Sequence, residues 1–205
     1  MSLYGDKKGK LVRRFGVNLF ANPKYERLLQ RKPNAPGKER GKRYRERISE
    51  YRKQLEEKQK LMFSYGLTAR QLQRLYEEAH RQKGKTGDNI LRMLELRLDS
   101  VVFNAGFAAT RAQARQLVSH RHVLVNGRTT NIPSFQAKPG DTVALKPKKG
   151  VQAIGRAALE LSVKATPAWL QVDPDQMQAV VKDAPPLSEL PEISDVQLVV
   201  EFYSR

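Results

Sequence analysis

The chain has 205 residues, of which 38 are Lys or Arg and 21 are Asp or Glu, giving a net charge of +17. It contains no cysteine and three histidines, which excludes a disulfide framework, thiolate zinc sites and a cysteine nucleophile. No run approaches the ~18 apolar residues that a membrane span requires, and the basic N-terminus lacks the apolar centre of a signal peptide, so the expected setting is the cytosol or an organelle interior.

The charge is unevenly placed. Residues 1–90 carry +14, residues 91–164 carry +8 and residues 165–205 carry −5. Self-repulsion on this scale opposes compactness unless a polyanion offsets it, so the first two sections are expected to face nucleic acid and the acidic tail to face protein.

Taken in chain order, residues 1–40 show weak periodicity and a Pro/Gly-bearing stretch at Pro33, Pro36 and Gly37. They read as a basic arm that is ordered by its partner. Tyr44, Ile48, Tyr51, Leu55 and Met62 recur at helical spacing, predicting a helix that ends near Gly66. Thr68 with Gln71 three residues on is a capping-box spacing, opening a helix with the stripe Leu72, Leu75, Tyr76 and Ala79 that stops at Gly84. A third helix is expected from Asn89 to Gly106, with Leu91, Leu94, Leu98, Val101 and Val102 on one side. A fourth starts at Thr110, again with a Gln, Gln113, three residues on.

Val123-Leu124-Val125-Asn126-Gly127-Arg128 is an apolar run closed by Asn-Gly, the signature of a type I′ hairpin, because both central residues need positive φ. Pro139-Gly140-Asp141 turns into the strand Thr142 to Leu145. A short helix over 156–165 follows, then a proline-broken tail that ends in an expected strand from Val196 to Tyr203.

The fourth helix carries the sharpest functional signal. At 100° per residue Arg111, Arg115, Ser119 and His122 share a side, next to a packing side of Ala114, Leu117 and Val118. Guanidinium groups beside a donor-rich helix N-terminus grip phosphate oxygens. His120, Arg121, Asn126 and Arg128 follow closely in sequence. A second basic patch runs through Arg43, Arg45, Arg47, Arg52, Lys53, Lys58 and Lys60, with Tyr44 and Tyr51 interleaved; the helical spacing of these tyrosines favours a core role over base stacking. No paired carboxylates, nucleotide-binding glycine loop or metal-ligand spacing is visible, and His120 and His122, two apart, do not share a helix face. No cofactor and no enzymatic activity are expected. Arg97-Leu98-Asp99 echoes a motif of rRNA pseudouridine synthases in which the Asp is the nucleophile, yet here it lies within a predicted helix with no catalytic domain after it.

Several motifs coincide in order. Leu96 to Val102, Gly106-Phe107, Thr110 to His120 and Val125-Asn126-Gly127 resemble the RNA-binding module of the bacterial-type small-subunit ribosomal protein S-four family. That module also occurs in tyrosyl-tRNA synthetases and pseudouridine synthases. The resemblance continues through Lys10 to Gly16, Leu55 to Lys60, Tyr65-Gly66, Lys85 to Asn89, Pro167 to Asp173 and Val200 to Arg205, covering essentially the whole chain. It departs between Asn22 and Arg40 and between Asp183 and Asp195. Some relatives carry an N-terminal four-cysteine zinc cluster, for which this chain has no ligands.

The resemblance implies a small-subunit protein that binds rRNA at a five-way junction of the 5′ domain and starts subunit assembly. It also implies a place beside ribosomal protein S-five, where mRNA enters the subunit, with influence on decoding accuracy. Arg45 and Arg47, with Arg43 beside them, match the positions that meet incoming mRNA. The expected rRNA-binding set is Lys10, Arg13, Arg14, Lys53, Lys58, Lys60, Arg70, Arg74, Lys83, Lys85 and Lys138, together with Arg111, Gln113, Arg115, Gln116, Ser119, His120, Arg121, His122, Asn126 and Arg128. The expected fold is α+β: a basic arm (1–40), a helical domain (41–90 with 156–195), an inserted helix-helix-hairpin module with a small mixed sheet (91–150), and a C-terminal strand (196–205). An RNA-binding protein acting off the ribosome is the alternative of another class, distinguished by its stoichiometry on the subunit.

Overall fold

The structure is a computed structural model that describes residues 8–37, 49–161, 165–191 and 193–205. It divides into two compact units, one of residues 1–87 with 192–205 and the other of residues 88–191.

The first unit is helical among its described residues. Helices α1 (Lys8–Phe15) and α2 (Pro23–Arg31) occupy the section expected as an arm. The sequence carried a start signal for α2: the Asn22 side chain accepts from the Lys24 N–H and Pro23 stands at the first helical position, where its missing N–H costs nothing. Helix α3 (Glu50–Ser64) is capped by Ser49 in an extended conformation, its hydroxyl accepting from the Arg52 N–H. The helix therefore begins at Glu50; Tyr44 and Ile48, on which the earlier start rested, lie outside the described residues. Helix α4 (Ala69–Arg81) opens with the expected capping box, in which Thr68 and Gln71 each accept from the other's backbone N–H. Thr68→Ala is expected to lower the unfolding free energy by about 1 kcal/mol, measured by denaturant unfolding followed by circular dichroism.

The expected terminal strand is instead helix α9 (Val196–Tyr203), which packs on α3 and α4. Asp195 caps it, accepting from the N–H groups of Gln197 and Leu198. Its apolar residues satisfy both a two-residue and a helical period, so the cap decides. Gln54 of α3 donates to Glu201 across this contact at 3.1 Å, and Glu57 accepts from the Asp195 N–H at 2.9 Å. The core of the unit is formed by Val12, Leu19, Leu61, Leu67, Leu72, Ala79 and Val199.

In the second unit the expected single helix over 89–106 is two, α5 (Thr86–Glu95), which begins at the end of the first unit, and α6 (Leu98–Asn104). The break falls where the backbone pairs elsewhere. Arg97 is extended and bridges Gln136, Ala137 donates to the Leu96 carbonyl, and the Leu98 and Asp99 N–H groups donate to Phe135 and Pro133. Helix α7 (Arg111–Ser119) packs on α6.

The hairpin β1 (Val123–Val125) and β2 (Arg128–Thr130) turns on Asn126 and Gly127, with φ of 49° and 78°, as the Asn-Gly pair predicts. Strand β3 (Thr142–Leu145) follows, and helix α8 (Lys149–Leu161) lies against it, starting seven residues before the expected helix. Two strands not foreseen, β4 (Leu170–Asp173) and β5 (Gln178–Val181), extend the sheet to the order β2-β1-β3-β5-β4. Every pairing is antiparallel, so the sheet is not mixed. The β3–β5 pairing also corrects the domain expectation: residues 156–191 belong with the module, not with the N-terminal helices. Val101, Val102, Phe107, Val118, Val123, Val143, Trp169, Met177 and Val181 are buried in this unit.

Candidate RNA-binding surface

The side chains around α7 are held by a buried ionic network. Asp99, with its side chain 5% exposed, receives two bonds from Arg97 (Nε to Oδ1 3.0 Å, Nη2 to Oδ2 2.9 Å) and two from Arg115 to Oδ2 (Nε 2.9 Å, Nη2 2.6 Å). Glu95, equally buried, accepts from Arg111 at 3.0 Å and from the Asn104 amide. The Arg111 guanidinium also lies 4.7 Å from the centroid of Phe103. The two arginines expected to project toward phosphate are thus engaged by carboxylates, with side-chain exposures of 14% and 24%. Their role is to fasten α7 to α6 and its approach. Asp99 is likewise a structural counter-ion rather than an accessible nucleophile.

The N-terminus of α7 is occupied in a similar way. Thr110 accepts from the Gln113 N–H, and the Gln113 side chain reaches back to the Ala109 N–H, one residue before the partner a capping box would use. Two donors that an anion would use are therefore already satisfied. Helix α7 also ends at Ser119, so His122 is not on its face. His120 caps the end, Arg121 adopts φ 62°, and the chain turns back into β1.

The exposed cations lie beyond that end. Of the expected set, these are Arg121, Arg128 and Lys138, with His120 exposed beside them and Gln116 and Ser119 exposed on α7 itself. Asn126 is tied inward, donating to Asp141 at 2.8 Å and accepting from the Thr142 N–H at 2.9 Å, which fixes the hairpin tip against the start of β3. The sequence reading missed Lys146, Lys148 and Lys149, which gather beside His122 or at the start of α8; the run Lys146-Pro147-Lys148-Lys149 was the available signal. Lys146 and Lys148, together with His120, hold the His122 imidazole below its ordinary pKa, after desolvation as the larger cause.

In the first unit Lys10, Arg14, Arg70, Arg74, Lys83 and Lys85 are exposed. Arg13 instead donates to the carbonyls of Asn34 and Ala35 at 3.0 and 3.4 Å, bracing the segment after α2. Lys53 and Lys60 are paired with Glu50 and Glu57 on their own helix. Lys58 lies 4.3 Å from the Phe202 ring centroid, and burial lowers its pKa. Arg43, Arg45 and Arg47 lie outside the described residues. No helix among the described residues is long and apolar enough to cross a membrane.

Comparison with known proteins gives the family of the chain. The family model described as the ribosomal protein S4/S9 N-terminal domain matches residues 4–95, and that of the S4 domain matches residues 96–143. The chain is 48% identical over 198 residues to the small ribosomal subunit protein uS4 of Treponema pallidum strain Nichols, covering 97% of each chain. It is 46% identical to the uS4 proteins of Treponema denticola and of Borreliella burgdorferi strain ZS7, over 97% of this chain and 96% of each relative. With two adjoining family models over residues 4–143 and near-complete alignment to these relatives, the chain belongs to the uS4 family of small-subunit ribosomal proteins.

Proposed function

We propose that this chain is a structural constituent of the small ribosomal subunit that binds small-subunit rRNA directly at a multi-helix junction of the 5′ domain. There it begins subunit assembly, and it contributes to the path by which mRNA enters and to decoding accuracy. The observation that carries the reading is the set of exposed cations after α7 and along the β1–β2 hairpin, in a unit that the ion pairs of Asp99 and Glu95 hold together. A rigid platform with cations at its rim suits recognition of RNA shape and backbone, in which phosphate contacts fix position and few base edges are read. Full-length membership of the uS4 family supports the ribosomal setting.

Small-subunit rRNA, entering mRNA, ribosomal protein S-five and other subunit proteins are the proposed partners. Arg43, Arg45 and Arg47 are the proposed mRNA contacts. The test is copy number: one copy per purified small subunit after a high-salt wash is expected. Substoichiometric, washable association would instead favour an RNA-binding protein acting off the ribosome.

A further inference from the structure

The sheet register puts His122 in an unusual cross-strand position. Val123 pairs with Leu145 in the antiparallel β1–β3 ladder, so the preceding residue, His122, stands opposite Lys146, whose N–H donates to the His122 carbonyl at 2.9 Å. Lys148 follows on the same connection, its N–H bonded to the Lys146 carbonyl at 2.7 Å. The His120 ring lies edge-on to that of His122, with centroids 6.1 Å apart. The charged and titratable groups that act on this imidazole are therefore Lys146 and Lys148 from the β3–α8 connection and His120 from the end of α7, and all of them are cationic when charged. The His122 Nδ1 is shut off from solvent and has no hydrogen-bond partner among the described residues. Like charges placed directly across a ladder repel, and a buried polar atom without a partner is a cost that calls for a ligand or a role.

The crowding of like charges finds its complement in one anion. We propose that His122, Lys146 and Lys148 form a phosphate site in which an RNA phosphate binds together with a proton taken up by His122. This rests on the rRNA-binding reading and assigns to it a specific, proton-linked contact. In the free protein desolvation first, and then the charges of Lys148, His120 and Lys146, disfavour protonation of the imidazole. A bound phosphate neutralises them and favours the imidazolium. No bond is made or broken; one proton passes from solvent to the ring as the phosphate enters.

The linkage has opposite signs in the two states. In the free protein the folded-state pKa of His122 is lower than its ordinary 6.5. The unfolded chain therefore binds the proton more readily, and the contribution of His122 to stability is complete above that value and is lost as the pH falls below it. In the complex the order is reversed, so RNA affinity rises on acidification, by at most about tenfold per pH unit for a single proton.

The experiment measures binding of the full chain to a transcript of the 5′-domain junction from pH 7.5 to 6.0 at fixed salt. The wild type is expected to gain affinity at least about threefold over this range. His122→Gln should remove most of that gain, while His80→Gln, on α4 of the other unit, should keep it. Lys146→Gln retains the imidazole but removes its repulsive neighbour, and should shrink the gain. As a second readout, the imidazole signals of His122 followed by NMR should titrate at higher pH in the complex than in the free chain. A pH-flat wild-type affinity, a His122→Gln variant with the wild-type slope, or a slope that follows His120→Gln alone would overturn the proposal while leaving salt-dependent rRNA binding intact. Absence of saturable binding at every pH would overturn the rRNA-binding reading as well.

Discussion

Asp99→Ala is expected to lower the unfolding free energy of the 88–191 unit by about 3–5 kcal/mol. The carboxylate is nearly inaccessible and accepts four hydrogen bonds from two guanidinium groups, one of which, that of Arg97, is itself buried. Replacing a buried ion pair with well-packed apolar residues can be neutral, but removing one partner leaves the other charge uncompensated in a poorly solvated site. Here the loss leaves two. Arg97 lies at the extended break between α5 and α6, and Arg115 is on α7, so the same carboxylate ties three segments together. Trp169, the sole tryptophan, is buried in this unit and reports on it directly. The measurement is urea unfolding followed by its fluorescence. A midpoint unchanged from wild type would mean that the network contributes nothing to the fold. Asp99→Asn keeps an acceptor but not the charge, and should fall between the two.

The second large effect concerns affinity. Neutralising the exposed rim through Arg121→Gln, Arg128→Gln and Lys138→Gln together is expected to reduce the dependence of log affinity on log salt by about 2–3, at 0.7–0.9 for each lost phosphate contact. Trp169 unfolding should be essentially unchanged, because these side chains are exposed and no described carboxylate pairs with them. Arg111→Ala with Arg115→Ala should behave differently. That pair weakens binding by loosening α7, and its signature is a lowered unfolding midpoint together with reduced affinity. If the rim variant kept the wild-type salt slope, the RNA-facing surface would have to lie elsewhere in the chain.

These contrasts show which parts of the site were legible in sequence. The Arg111 and Arg115 spacing correctly placed two guanidiniums on one flank of a helix. It did not reveal what they face, because Glu95 and Asp99 reach them only after the chain breaks at Leu96-Arg97. That break was invisible because Leu94, Leu98, Val101 and Val102 keep a helical stripe across it, while the hydrogen bonds that pull the backbone out come from residues 133–137. His122 was assigned to the helix face for a related reason: periodicity carries no mark of Arg121 entering the left-handed region.

By itself the sequence determined the charge gradient, the capped start of α4, the Asn-Gly turn and the family, all properties carried by neighbouring residues or by composition. Local signals are readable because their partners lie within a few positions, as Thr68 and Gln71 do. Tertiary structure alone decided that residues 170–181 complete the module's sheet, that the chain ends in a helix against α3, and that His122 faces Lys146. Each of these depends on a partner distant in the chain, and the free energy that selects among such pairings comes from burial and hydrogen bonding that exist only once the segments meet.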